Sequence, residues 1–137
     1  MDAIFQQIDY KDLNSRQKEN FNFQKVAGHL ADYGYNCLRL SDDWHGADFI
    51  ACHIDGNRFL KVQIKGRLTI QKKYCAKDIY IAFLHKTNWY LYPHDKVMNL
   101  LIKQGYMTGT ISWDNDGSYS WPHISEHILS ILKPYIV

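Results

Sequence analysis

Residues 46–67, GADFIACHIDGNRFLKVQIKGR, decide how the rest of the chain is read. An apolar run after Asp48, the turn formers Asp55-Gly56-Asn57 and an alternating run over 58–65 predict strand, tight turn, strand, which is a β-hairpin. Side chains on a strand alternate between its faces, so Leu60, Val62 and Ile64 point one way and Lys61, Gln63 and Lys65 the other. Gln63 and Lys65 then lie about 7 Å apart on one face, and Asp48 on the partner strand can join them. A carboxylate, an amide oxygen and an ammonium at one place suit a hard divalent cation and a phosphodiester. An ordinary exposed hairpin face could carry the same three side chains, so the surrounding chain must supply the weight.

Upstream, Asn14 and Gln17 have the spacing of a capping box, and Phe23, Val26, Ala27, Leu30 and Tyr33 recur at helical spacing, predicting a helix over about residues 15–33. Glu19 lies four residues before Phe23, on the apolar face at the helix start. The helix dipole alone would favour a glutamate there. Residues 36–40 read as the first strand and residues 41–46 as a polar loop that sets Trp44 and His45 beside Asp48.

Downstream, the nearly all-apolar residues 79–84 read as a central strand covered on both faces, and residues 89–92 as its neighbour, ended by Pro93. Asp95 is placed to cap a helix from 96 to about 104, with Val97, Leu100 and Leu101 as its apolar stripe and Gly105 at its C-terminal end. Residues 108–113 and 118–121 are expected to pair around the turn Asp114-Asn115-Asp116-Gly117, and Ser125 to cap a last short helix to Leu132. That turn begins like a calcium loop but lacks the closing acid. His123 and His127 are four apart without a third ligand in reach, so they read as ordinary histidines.

At 137 residues, 46% of them apolar, the chain fits one domain spanning 1–137 with a sizeable core. No apolar run is long enough to span a bilayer and the first twelve residues lack the pattern of a signal peptide, so a soluble, intracellular, cytoplasmic protein is expected, without a membrane partner. Cys37, Cys52 and Cys75 are odd in number and form no CxxC, which argues against a disulfide framework or a cysteine zinc site and for reduced, largely buried thiols. The net charge is only +2, but seven bases (Arg58, Lys61, Lys65, Arg67, Lys72, Lys73 and Lys77) lie over 58–77 with no acid among them. That block overlaps the hairpin, where a phosphate backbone would have to lie. A lysine-rich edge that discourages strand aggregation is the competing account.

An acid on one strand and Gln63-Ile64-Lys65 on the next, preceded by an acid-bearing helix and followed by an apolar strand, a proline-ended strand and a helix, resembles the PD-(D/E)XK nuclease superfamily in its Q-x-K variant over roughly residues 15–104. The resemblance implies an α/β fold with a restriction-endonuclease-like core, a central mixed β-sheet flanked by helices. It also implies a Mg2+-dependent deoxyribonuclease, with Mn2+ able to substitute, that hydrolyses DNA phosphodiesters as a restriction, homing or junction-resolving endonuclease. Asp48, Gln63, Lys65 and Glu19 would be catalytic, and Asp48, Gln63, the Ile64 backbone carbonyl and Glu19 would hold the metal. Lys61, Arg67, Lys72 and Lys73 would contact DNA, and a homo-oligomer, dimer or tetramer, would cut both strands. Gln63 stands where an acid is commoner, which makes a further anionic ligand useful. Glu19 has the better chemistry for that place and Gln24 the better spacing, so both stay open. A nuclease-like domain that binds nucleic acid or a protein partner without cutting is the alternative.

Overall fold

A three-stranded meander, a hairpin and the parallel crossover between them generate the central sheet. The computed structural model describes residues 3–137; Met1 and Asp2 of the expected 1–137 domain lie outside the described residues. Helix α1 (Ser15–Ala31) starts as its sequence dictates: Asn14 Oδ1 accepts from the Gln17 N–H and the Gln17 side chain accepts from the Asn14 N–H, both at 2.9 Å. Strands β1 (Tyr35–Trp44), β2 (Ala47–His53) and β3 (Phe59–Ile64) follow as an antiparallel meander. A short strand β4 (Thr69–Gln71) leads through a 3-10 turn to β5 (Ile79–His85) and β6 (Asn88–Pro93), then to α2 (His94–Lys103). The chain ends with α3 (Ile111–Asp114), β7 (Ser118–Ser120) and α4 (Glu126–Leu132).

The main sheet has the order β1-β2-β3-β5-β6, with β3 and β5 parallel and the other neighbours antiparallel. It is thus the mixed central sheet flanked by helices that the sequence led us to expect. The anticipated succession of Asp48 strand, Gln63 strand, apolar strand, proline-ended strand and helix is present as β2, β3, β5, β6 and α2. Strand alternation divides the core in two. Phe49, Ala51, Val62 and Ala82 pack with Val26 and Leu30 of α1 on one face, and Ile79, Ile81, Phe83 and Tyr92 pack with α2 and the C-terminal elements on the other.

Five local expectations are corrected. The polar stretch over 41–46 is largely strand: β1 continues past an irregularity after Arg39, and Trp44 pairs with Ala47. The tight turn His45-Gly46 has positive φ at both residues (54° and 91°), the twist that suits a two-residue hairpin. Residues 108–113 are not a strand. The Thr110 side chain accepts from the Trp113 N–H and starts α3, and β7 pairs with β4 instead. Asp114 to Gly117 is accordingly the exit from that helix, with the Gly117 N–H donating to the Trp113 carbonyl, and not a hairpin turn. Helix α2 begins two residues earlier than expected, capped by no side chain, because Asp95 is committed elsewhere: its Oδ2 accepts from the Ala76 N–H at 2.9 Å. The three cysteines are free and half-buried, less enclosed than expected.

Candidate active site

Asp48 is the second residue of β2 and Gln63 the fifth of β3, and both lie at the end of the sheet where Lys65 leaves β3. The antiparallel register that sets Phe49 against Val62 places Asp48 across from Gln63. Asp48 Oδ2 accepts from the Ile64 N–H at 2.8 Å, which fixes the carboxylate. The Lys65 N–H donates to the Ala82 carbonyl, so the chain stays anchored as it passes the strand end.

These residues line a cleft with two lobes. One, of about 370 Å3, is walled by Glu19, Phe23, Arg39, Asp42, Asp43, Asp48, Gln63, Ile64 and Lys65. The other, also about 370 Å3, is walled by Asp43, His45, Asp48, Gln63, Lys65, Lys73, Tyr74 and Lys77. The lobes share Asp43, Asp48, Gln63 and Lys65. The first sets four carboxylates against Arg39 and Lys65 and the second three lysines against Asp43 and Asp48, so the balance of charge changes from acidic to basic across the Asp48–Gln63–Lys65 line.

Burial dominates the electrostatics here. It raises the Asp48 carboxyl above its usual range, with Asp43 and Glu19 adding to the rise while the Ile64 N–H and Lys65 oppose it. It lowers the Lys65 ammonium, with Lys73 adding to the fall and Asp48 opposing it. Tyr74 is pushed up to about 12, first by burial and then by Asp48 and Asp43, and keeps its proton.

Glu19 reaches the acidic lobe, although its side chain is 69% exposed and its nearest cation is Arg39 at 3.8 Å. Gln24 does not reach it; it lines a separate surface groove with Leu13, Gln17 and Lys25. The Asp48 carboxylate, the Gln63 amide oxygen, the Ile64 carbonyl and the Glu19 carboxylate are all oxygen donors, the set a hard divalent cation takes. Gln63 Nε2 donates to the Ile64 carbonyl at 3.4 Å, and among the described residues Gln63 Oε1 accepts no hydrogen bond.

Among the expected DNA contacts, Lys73 lines the basic lobe. Lys72 is exposed with its ammonium 4.9 Å from the Trp113 ring centroid, Arg67 is exposed, and Lys61 is half-buried; none of these three lines either lobe. Sequence reasoning missed Arg39, Asp43 and Tyr74. Tyr74 had a signal, as an aromatic directly beside Lys72 and Lys73 in the basic block, and Asp43 fell in the stretch read as a polar loop. His45 lines the basic lobe, whereas Trp44, 61% exposed, packs edge-on against His45.

Cys75, His94 and Asp95 also bring potential ligand atoms within 4.8 Å of one another. Their atoms are already committed. His94 Nε2 accepts from the Gln71 N–H at 3.0 Å, so Nδ1 carries the proton and donates to Asp95 Oδ1 at 2.8 Å. Cys75 Sγ lies 3.5 Å from Met98 Sδ, and burial raises its thiol. This cluster is a structural knot.

No protein-family model and no curated protein matches the chain. Among solved structures it is similar to Hjc, a Holliday junction resolvase from the archaeal hyperthermophile Archaeoglobus fulgidus, at 16% identity and TM-score 0.47, over 57% of this chain and 74% of that one. It is also similar to a bacterial homing endonuclease at 12% identity and TM-score 0.47, over 82% of this chain and 78% of that one. Likeness at this level assigns neither a family nor an activity.

Proposed function

We propose that the chain is a metal-dependent endonuclease of the PD-(D/E)XK type that hydrolyses DNA phosphodiester bonds, with Asp48, Gln63, Lys65 and Glu19 as its site. The observation that carries this reading is the division of one cleft into an acidic and a basic lobe that share Asp48, Gln63 and Lys65. A dication and a phosphodiester must sit side by side in such a reaction, and these two lobes offer each its counter-charge at a common boundary. Asp48, Gln63, the Ile64 carbonyl and Glu19 would hold Mg2+, or Mn2+ in its place. Bound there, the ion supplies Lewis-acid charge and lowers the pKa of a coordinated water.

The chain's own residues do the rest. The Ile64 N–H orients the Asp48 carboxylate. Lys65 points its ammonium toward the phosphate oxygens, where negative charge grows as the attacking oxygen bonds to phosphorus. Its lowered pKa eases proton exchange with water in the cleft. Lys73 and Lys77 take the phosphate nearest the site, and Lys61, Arg67 and Lys72 take the flanking backbone. A homo-oligomer, dimer or tetramer, would present two such sites to a duplex, since one site cuts one strand at a time. Among the described residues no helix is long and apolar enough to cross a membrane, and a soluble intracellular protein is the setting proposed.

The test is plasmid or branched DNA incubated with Mg2+ or Mn2+ beside the Lys65→Ala variant. Metal-dependent nicking by the wild type and its loss in the variant are expected; equal nicking by both proteins would sink the assignment. A second reading, binding without cleavage, draws on Gln63 in place of an acid and on Arg39 beside Glu19. Salt-sensitive DNA binding with no cleavage on any substrate would favour it.

A further inference from the structure

The basic lobe contains an aromatic ring that no reading of the hairpin required. Tyr74 is 3% exposed and has two lysine ammoniums near its ring: Lys65 Nζ is 5.4 Å and Lys73 Nζ 5.2 Å from the ring centroid. A tyrosine ring attracts ammonium groups to its face, more strongly where water is excluded. Like charges would otherwise drive these two side chains apart, and their long stems carry large rotamer freedom.

The ring is itself held on several sides. A Cβ on Gly46 would lie 3.0 Å from Tyr74 Cε1, so the β1–β2 turn presses its one side-chain-free residue against the ring. His94 packs edge-on with centroids 5.5 Å apart, and it is fixed by Asp95 and by the Gln71 N–H. Asp95 also accepts from the Ala76 N–H, which ties down the loop that carries Lys72, Lys73 and Lys77.

We propose that Tyr74 is a positioning residue whose ring gathers Lys65 and Lys73 into one two-ammonium clamp, so that both engage the non-bridging oxygens of a single backbone phosphate. The clamp rests on the endonuclease reading for its choice of phosphate as the ligand, but not on cleavage. It gives the knot at His94 a purpose at the cleft, since the knot keeps the ring, and through the ring the lysines, in place. A tyrosine hydroxyl is not needed for this; a ring is.

The test uses inorganic phosphate and a short single-stranded oligonucleotide as probes in metal-free buffer, with the lysine side-chain resonances followed by NMR. In the wild type, Lys65 and Lys73 should shift together with one midpoint. Tyr74→Phe should bind alike, because the ring is kept. Tyr74→Leu should weaken phosphate binding about tenfold, roughly the loss of one charge-assisted contact, and separate the two midpoints. Weakening by phenylalanine as severe as that by leucine would overturn the proposal, and so would wild-type binding by the leucine protein. Should the leucine variant not fold, Lys73→Gln decides: a Lys65 midpoint weakened about tenfold supports the clamp and an unchanged one overturns it. Failure of the endonuclease reading is a separate result, namely intact phosphate binding with no DNA cleavage by any of these proteins.

Discussion

Two polar clusters in this molecule look alike in composition and differ in what their atoms are free to do. In the knot, His94 is 1% exposed and gives both ring nitrogens to neighbours, and Asp95 gives one oxygen to His94 and the other to the Ala76 N–H. In the cleft, Asp48 gives one oxygen to the Ile64 N–H, and among the described residues the Gln63 amide makes only a long contact to the Ile64 carbonyl. Satisfied polar groups stabilise; groups held in place but left without partners are available to a ligand. The pKa directions follow the same division. Burial keeps His94 neutral, which its Gln71 bond requires, whereas burial strains the Asp48 charge, which a bound cation would relieve.

The contrast can be broken most forcefully at Lys65. Lys65→Ala should cost about 10²- to 10³-fold in DNA cleavage, as loss of a group that meets transition-state charge does, with the melting temperature nearly unchanged. His94→Ala should do the reverse. It leaves the Gln71 N–H and Asp95 without their partner in the core, an expected loss of about 2–4 kcal/mol read by denaturant unfolding, with any fall in cleavage following from the loosened lysine loop.

Mg2+ sharpens the comparison. At a hundredfold excess over its dissociation constant it should stabilise the wild type by about 2.7 kcal/mol, stabilise His94→Ala by a similar increment, and leave Asp48→Asn unmoved. Thermal melts with and without metal read all three.

The smallest effect is in the pH dependence, where the two clusters should have opposite signs. His94 is held below its ordinary 6.5, so its contribution is complete above that value and is lost as pH falls from there through the folded pKa. Asp48 is held above its ordinary 3.8, so without metal its contribution is lost as pH rises from there through the folded pKa. Difference curves for His94→Gln and Asp48→Asn against wild type should therefore slope oppositely, and Asp48→Asn should gain less than about 1 kcal/mol near neutrality because the carboxylate is partly solvated.

What was legible in the sequence was whatever is encoded locally. The Asn14–Gln17 capping box, the Ser125 cap and the period-two alternation of β3 each depend on residues a few positions apart, and each is present. The pairing of β4 with β7 joins Gln71 to Ser118, and no local pattern announces it, so residues 108–113 looked for a partner among their neighbours. Asp95 read as a helix cap because that is what an aspartate after Pro93 commonly does; the Ala76 N–H that claims it comes from another loop. The cleft divides the same way. Asp48, Gln63 and Lys65 share a hairpin and could be placed by counting, and the preference for Glu19 over Gln24 could not, because it depends on how α1 lies against β1, where Arg39 meets Glu19. Tyr74 and Arg39 enter the site only through tertiary packing.

The central claim is that the free oxygens of the cleft, and not the committed atoms of the knot, receive the divalent cation. A crystal of the chain soaked in Mn2+ and measured at the manganese absorption edge tests it most directly. Anomalous density among Asp48, Gln63 and Glu19, absent in Asp48→Asn, is the predicted result; density at Cys75, His94 and Asp95, or none in the cleft at saturating Mn2+, would contradict it.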